Sequence, residues 1–334
     1  MAAPLATILV MSDPQFFFGG KDHLSDDDVA RNNVSVLRAV RRIQDKISLK
    51  CAIICGDFTM GGLSQMRCFL NAYLKPYEGE INKDYYSGTV YMPGPIVPIP
   101  APMNPSIDED VYDDLLDASL KVKPVYLLLG NHDQWHWEYD EDLSPEAIVN
   151  KLYPKMKTVG TQFDIGDKYH IVLYDGISTC LGSKYPPLMD TLHWAKDNHR
   201  KVVVFTHNPD RTSDPWSDHS YDEYNKEYAD NFAKAITQYP DTIAGVIGGH
   251  WHNKCGEMKK YYPRIDPTLE TLYDGGIGTY KTFLLLRFYE TSIEFLPLKA
   301  RDYDGNITNI HSDKDIDINT QVDTWGWESL YTDY

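Results

Sequence analysis

Five apolar runs recur along the chain, each closing on polar residues: "TILVMSD", "CAIICGD", "PVYLLLGNHD", "KVVVFTH" and "IAGVIGGHWH". Runs this continuous predict strands buried on both faces, with helices covering them. Between the first two, "DDDVARNNVSVLRAVRRIQDKI" sets Val29, Val36, Leu37, Val40 and Ile43 at helical spacing behind an acidic first turn. "LSQMRCFLNAYL", after the second run, also reads as helical. Strand, helix, strand is the start of an α/β architecture.

The pattern then dissolves. From Lys75 to about Pro105 the chain is too rich in Pro and Gly for an element interior, so residues 75–123 are read as an irregular insertion that either rims a site or simply packs. Further on, "TFLLLRFYETSIEFLPLKAR" predicts a hairpin turning near Glu290 and Thr291. The chain thus reads as one domain over residues 1–301, followed by an acidic, aromatic tail over 302–334 that packs on it.

Composition narrows the function classes. The 334 residues are 42% hydrophobic, enough for a substantial core, and carry a formal net charge of −17. That charge argues against a nucleic-acid or anionic-membrane partner, because neutralising phosphates takes a basic face. An anionic substrate would need positive charge concentrated locally, such as metal ions. "MAAPLATILVMSD" lacks a basic start and is too short to span a membrane, so it reads as the first strand. The five cysteines are odd in number and lack metal-finger spacing, which favours reduced thiols and a cytoplasmic location. Asn33-Val-Ser and Asn306-Ile-Thr match the glycosylation acceptor pattern, which is common by chance.

The candidate chemistry lies where the apolar runs end. His250 and His252 alternate along a strand and would share a face, as a metal pair would, although packing explains such a pair equally well. The other runs close on Asp13 and Gln15, on Asp57, on Asn131, His132 and Asp133, and on His207. Strand ends are where α/β sheets place ligands, and this mixture of carboxylate, imidazole and amide donors suits first-row divalent ions.

In that order, "DPQ", "GD", "GNHD", a lone His and "GHWH" resemble the motifs of the calcineurin-like metallophosphoesterases from about Leu9 to Arg301. The resemblance implies a four-layer α-β-β-α sandwich of two mixed sheets, with a dinuclear metal site at the strand ends. It implies two divalent ions, Mn, Fe or Zn with Mg also suitable. Asp13, Gln15, Asp57 and His252 would hold one, and Asn131, His207 and His250 would join a bridging Asp57 around the other. A hydroxide held between the ions would attack phosphorus while His132 protonates the leaving oxygen. Asp133 would either accept the other ring proton of His132 or simply close its loop.

Most members of the family have His where this chain has Gln15, and an Asp-Pro-Gln subgroup shares the substitution. A Gln carbonyl is a neutral, weaker ligand, and a role for Gln15 just outside the ligand set stays open. The expected reaction is hydrolysis of a phosphomonoester on a small molecule or a phosphorylated side chain. The alternatives are phosphodiester hydrolysis and a non-catalytic, protein-binding scaffold. Trp135, His136 and Trp137 could stack on a leaving group or fill core, and Tyr280 and Lys281 could meet substrate or form an ordinary turn.

Overall fold

The computed structural model describes residues 3–16, 24–59, 63–80, 107–130, 132–135, 149, 153, 161–174, 188–207, 235, 238–260 and 270–333. The first sheet contains β1 (Ala6–Met11), β2 (Ala52–Cys55), β3 (Val125–Leu128), β10 (Thr282–Phe288), β11 (Ser292–Ala300), β12 (Ile307–Asn309), β13 (Lys314–Asp315) and β14 (Glu328–Thr332). Its order is β13-β12-β11-β10-β1-β2-β3, with β14 also pairing with β11. The second contains β4 (Gln162–Ile165), β5 (Tyr169–Leu173), β6 (Lys201–Thr206), β7 (Ile243–Gly248), β8 (Met258–Lys260) and β9 (Glu270–Tyr273), in the order β4-β5-β6-β7-β9-β8. Both are mixed: β1, β2 and β3 run parallel, as do β5, β6, β7 and β9, while their flanking partners run antiparallel.

The two-sided burial predicted from the runs has a simple origin. Successive side chains of β1 part company: Ile8 and Val10 enter a cluster shared with the second sheet, while Leu9 and Met11 face the helices. In β6, Val203 and Phe205 join the same inter-sheet cluster, and Val202 and Val204 turn to the outer helix. Each strand therefore needs apolar residues on both faces, and alternation disappears from the sequence.

Helix α1 (Asp26–Gln44) begins at Ser25, whose hydroxyl accepts from the Asp28 backbone while Asp28 reaches back in a capping box. The five expected apolar positions are buried, together with Ala30, Asn33 and Val34. Burial of Asn33 inside this helix leaves the first glycosylation pattern without an accessible acceptor. Helix α2 (Leu63–Tyr73) packs on the same side of the first sheet, and α4 (Leu188–Asp197) covers the second.

Residues 75–123 depart from the expected irregularity. Lys75–Glu80 form a 3-10 turn and Glu109–Ala118 form helix α3. Its buried stripe of Val111, Leu115 and Ala118 is hidden in sequence among acids, which face outward or, like Asp114, pair with Arg38 of α1 at 2.7 Å. Residues 81–106 lie outside the described part. In the tail, β12, β13 and β14 extend the first sheet, and Trp325 is buried against the helical side.

Candidate metal centre

The site is assembled where the parallel strands end. β1 leads to Asp13 and Gln15, β2 to Asp57, β3 to His132 and Asp133, β6 to His207, and β7 to His250 and His252. Seven non-glycine residues have positive φ among the described residues, and four are Asp13 (51°), Gln15 (39°), Asp57 (52°) and His250 (67°). A side chain in the left-handed region costs about 1–2 kcal/mol. Its clustering on these four turns marks backbone bent to aim side chains inward. The inward space is tight: a Cβ on Gly130 would lie 1.9 Å from Asp57 Oδ1, and one on Gly249 would lie 2.8 Å from Asp13 Oδ2.

Asp57 is the hub. Its Oδ2 lies 3.3 Å from His207 Nε2, 3.9 Å from His132 Nε2 and 3.2 Å from the donating Gln15 Nε2, while Oδ1 accepts from the His132 backbone N–H at 2.9 Å. Asp57, His207 and His250 each offer one ligand atom, all within 4.8 Å of one another. Beside them, Asp13 Oδ1 lies 3.1 Å from His252 Nε2, and its Oδ2 accepts from the His250 backbone N–H at 3.0 Å. Thus Asp13, Gln15, Asp57, His132, His207, His250 and His252 share one buried network, and Asn131 lies outside the described residues.

The donor atoms suit a cation. His207 Nδ1 donates to the Cys55 carbonyl at 2.6 Å, which fixes the ring and turns Nε2 toward Asp57. Gln15 is 1% exposed, and its Oε1 has no hydrogen-bond partner. A buried, unsatisfied carbonyl oxygen costs about 1–3 kcal/mol unless something electropositive meets it. Burial opposes ionisation of Asp57, but the charges of His207, His132 and His250 and the His207 contact outweigh it and hold the carboxyl well below the usual range. Burial would also lower His207, yet Asp57 and Asp13 raise it to about 10, whereas burial and the neighbouring His207 lower His250 to about 4. The Asp57 carboxylate is thus compensated by a proton on His207, and a divalent ion would take that proton's place.

Of the two roles open to Asp133, its contacts match loop closure. Its two oxygens accept from the Phe58 and Gly130 backbone N–H groups at 2.9 and 2.8 Å, so it ties the β2 and β3 loops together. Burial, then the Asp57 charge, pushes its carboxyl well above the ordinary value. His132 opens the one-turn helix His132–Trp135, and its Nε2 lies 3.9 Å from Asp57 Oδ2.

Sequence reading passed over Asp274, wholly buried just past β9. Burial and the nearby Asp13 charge push it up to about 8. The signal is weak, since "TLYD" is an apolar run ending in an acid but is short and runs directly into glycines at 275 and 276. Tyr280 and Lys281 are half-buried at the end of the turn Ile277–Tyr280, and Lys281 Nζ donates to the Arg301 carbonyl at 3.3 Å. The side chain of Trp135, and residues His136 and Trp137, lie outside the described part. No helix among the described residues is long and apolar enough to cross a membrane.

Among the solved structures that resemble the chain are the following two. Vacuolar Protein Sorting 29 from Cryptosporidium parvum is 11% identical, with 91% of this chain and 94% of that one covered and a TM-score of 0.32. A 5'-nucleotidase from Candida albicans is 15% identical, with 96% of this chain covered and a TM-score of 0.41; this chain spans 56% of its length. No curated protein matches the sequence. The family model for calcineurin-like phosphoesterases matches residues 6–254, a span that takes in every strand end of the centre from Asp13 to His252, and the chain belongs to that family.

Proposed function

We propose that the protein is a metal-dependent phosphoesterase that hydrolyses phosphomonoesters of a small molecule or a phosphorylated side chain. In this reading Asp13, Gln15, Asp57 and His252 hold one divalent ion, and Asp57, Asn131, His207 and His250 hold a second. The observation that carries it is the convergence of donors from four separate strand ends on Asp57, with the Gln15 Oε1 left unsatisfied beside them. Ions bound there would supply Lewis acidity, acidifying water and neutralising phosphoryl oxygens.

The chain's own groups divide the remaining work. His132, its side chain 20% exposed beside a hub that is 1% exposed, can reach a substrate and donate its ring proton to the leaving oxygen. Its backbone bond to Asp57 fixes the distance between that proton and the hub. Asp133 holds the two loops in register, and the Cys55 carbonyl keeps the His207 proton on Nδ1.

The test is turnover of para-nitrophenyl phosphate and bis-para-nitrophenyl phosphate by metal-stripped protein reconstituted with Mn²⁺, Fe²⁺, Zn²⁺ or Mg²⁺. Metal-restored turnover with the monoester preferred is expected. Preference for the diester would reassign the protein as a phosphodiesterase using the same centre. Failure to take up metal would overturn the reading and leave the scaffold.

A further inference from the structure

Behind the Asp-Pro-Gln loop lies a buried polar chain that the chemistry above does not use. Asn33, on α1, is fully buried, and its Nδ2 donates to the Pro14 carbonyl at 3.0 Å and to the Val29 carbonyl at 2.9 Å. Its Oδ1 accepts from the hydroxyl of Tyr73, on α2, at 2.5 Å. Both N–H groups and the carbonyl oxygen of the Asn33 amide are thereby engaged, and its orientation is fixed by Tyr73. Burial pushes the Tyr73 phenol well above its ordinary value, so it stays a donor.

The neighbouring residue continues the clamp. Asn32 Nδ2 donates to the Gly278 carbonyl at 2.8 Å, while Gly278 and Ile277 donate from their backbones to the Asp13 and Ser12 carbonyls at 2.9 and 3.1 Å. Thr279, in the same turn, lies 3.5 Å from His252 Nδ1. The asparagine pair on α1 thus grips both segments that flank Asp13, Gln15 and His252. It makes no contact of this kind with His207 or His250.

A polar group buried in a helix that also buries Val34, Val36 and Leu37 is costly unless it is fully hydrogen-bonded. Here it holds Pro14 between two residues in left-handed conformations, Asp13 and Gln15. We infer that Asn33, oriented by Tyr73, is a positioning residue for the metal site formed by Asp13, Gln15 and His252, and leaves the His207 and His250 side unaffected. The inference rests on the metal reading above and adds which residues outside the ligand set tune which ion.

The experiment is Mn²⁺ titration followed by electron paramagnetic resonance, on wild type, Tyr73→Phe, Asn33→Ala and Tyr112→Phe. Tyr73→Phe removes one oxygen and keeps the ring stacked on Phe69 at 5.4 Å. Tyr112→Phe is the control: it removes a hydroxyl that accepts from Arg67 and Asn71 in the same core. Loss of such support around a ligand weakens metal affinity about 10–100-fold. The expected result is that one of two Mn²⁺ sites weakens about tenfold in Tyr73→Phe and further in Asn33→Ala, with the other site and the Tyr112→Phe titration as in wild type. Two unchanged sites in a folded Tyr73→Phe protein would overturn the inference while leaving the metal reading standing. Wild type that binds no Mn²⁺ would overturn both.

Discussion

The same strands carry opposite kinds of chemistry at their two ends. Where β1, β2, β6 and β7 finish, acids and imidazoles are buried within hydrogen-bonding distance and four side chains sit on left-handed backbone. At the other end, near the start of β1 and β6, the C-terminal tail closes the sandwich. Arg287 lies under the Trp327 ring at 3.8 Å and pairs with Asp323 at 2.7 Å, while Asp333 reaches Lys168 and Lys201 of the second sheet. There the charges are paired or wet, and these contacts stabilise the fold. At the site end, the left-handed turns and the unsatisfied Gln15 Oε1 oppose folding and are explained by what the site can bind.

The sharpest break of that contrast is His132→Ala. Loss of a general acid lowers kcat about 10²–10⁴-fold, and steady-state kinetics beside metal analysis should show that fall with metal content retained. Next comes the buried acid of the site end. Asp274, raised to about 8 by burial and by Asp13, binds its proton in the folded state where the unfolded chain has already lost it. Its contribution is fully present below pH 4 or so and is lost as pH rises through about 8. Asp274→Asn should therefore flatten the decline of Tm between pH 5 and 9 in chelator-treated protein, where wild type falls.

At the tail end, Trp327→Ala removes a half-buried ring and its cation contact, and urea denaturation should report a loss of about 2 kcal/mol with kcat unchanged. A fall in kcat as large as that of His132→Ala would erase the distinction between the ends. Smallest in stability is Gln15→Gly. Relief of the left-handed side chain offsets the lost contact to Asp57, and the net change should stay within about 1 kcal/mol. Calorimetric metal titration should nevertheless show one site weakened.

Particular residues show how far the sequence could be read. The runs ending at Asp13, Asp57, His207 and His250 were legible because a strand buried on both faces must be continuously apolar, and a polar residue at its end stands out. Helix α3 was not, because its four aliphatic residues stand among five acids and leave its period visible only once α1 is there to pack on. Asp133 could be assigned only by seeing that Phe58 and Gly130 donate to it, and Asn33, marked in the sequence only by a pattern common by chance, shows its place only in the buried contacts of α1.

By itself, then, the sequence determined strands β1, β2, β3, β6, β7, β10 and β11, helices α1 and α2, and the residue types able to hold a metal, since these follow from local periodicity and from chemistry written into single side chains. The tertiary structure alone decided which of those groups meet. Contacts such as Asp13 with His252, Asp57 with His207, and Tyr73 through Asn33 to Pro14 join residues far apart in the chain. No local pattern encodes them, because their distances are set by how two sheets and their covering helices pack.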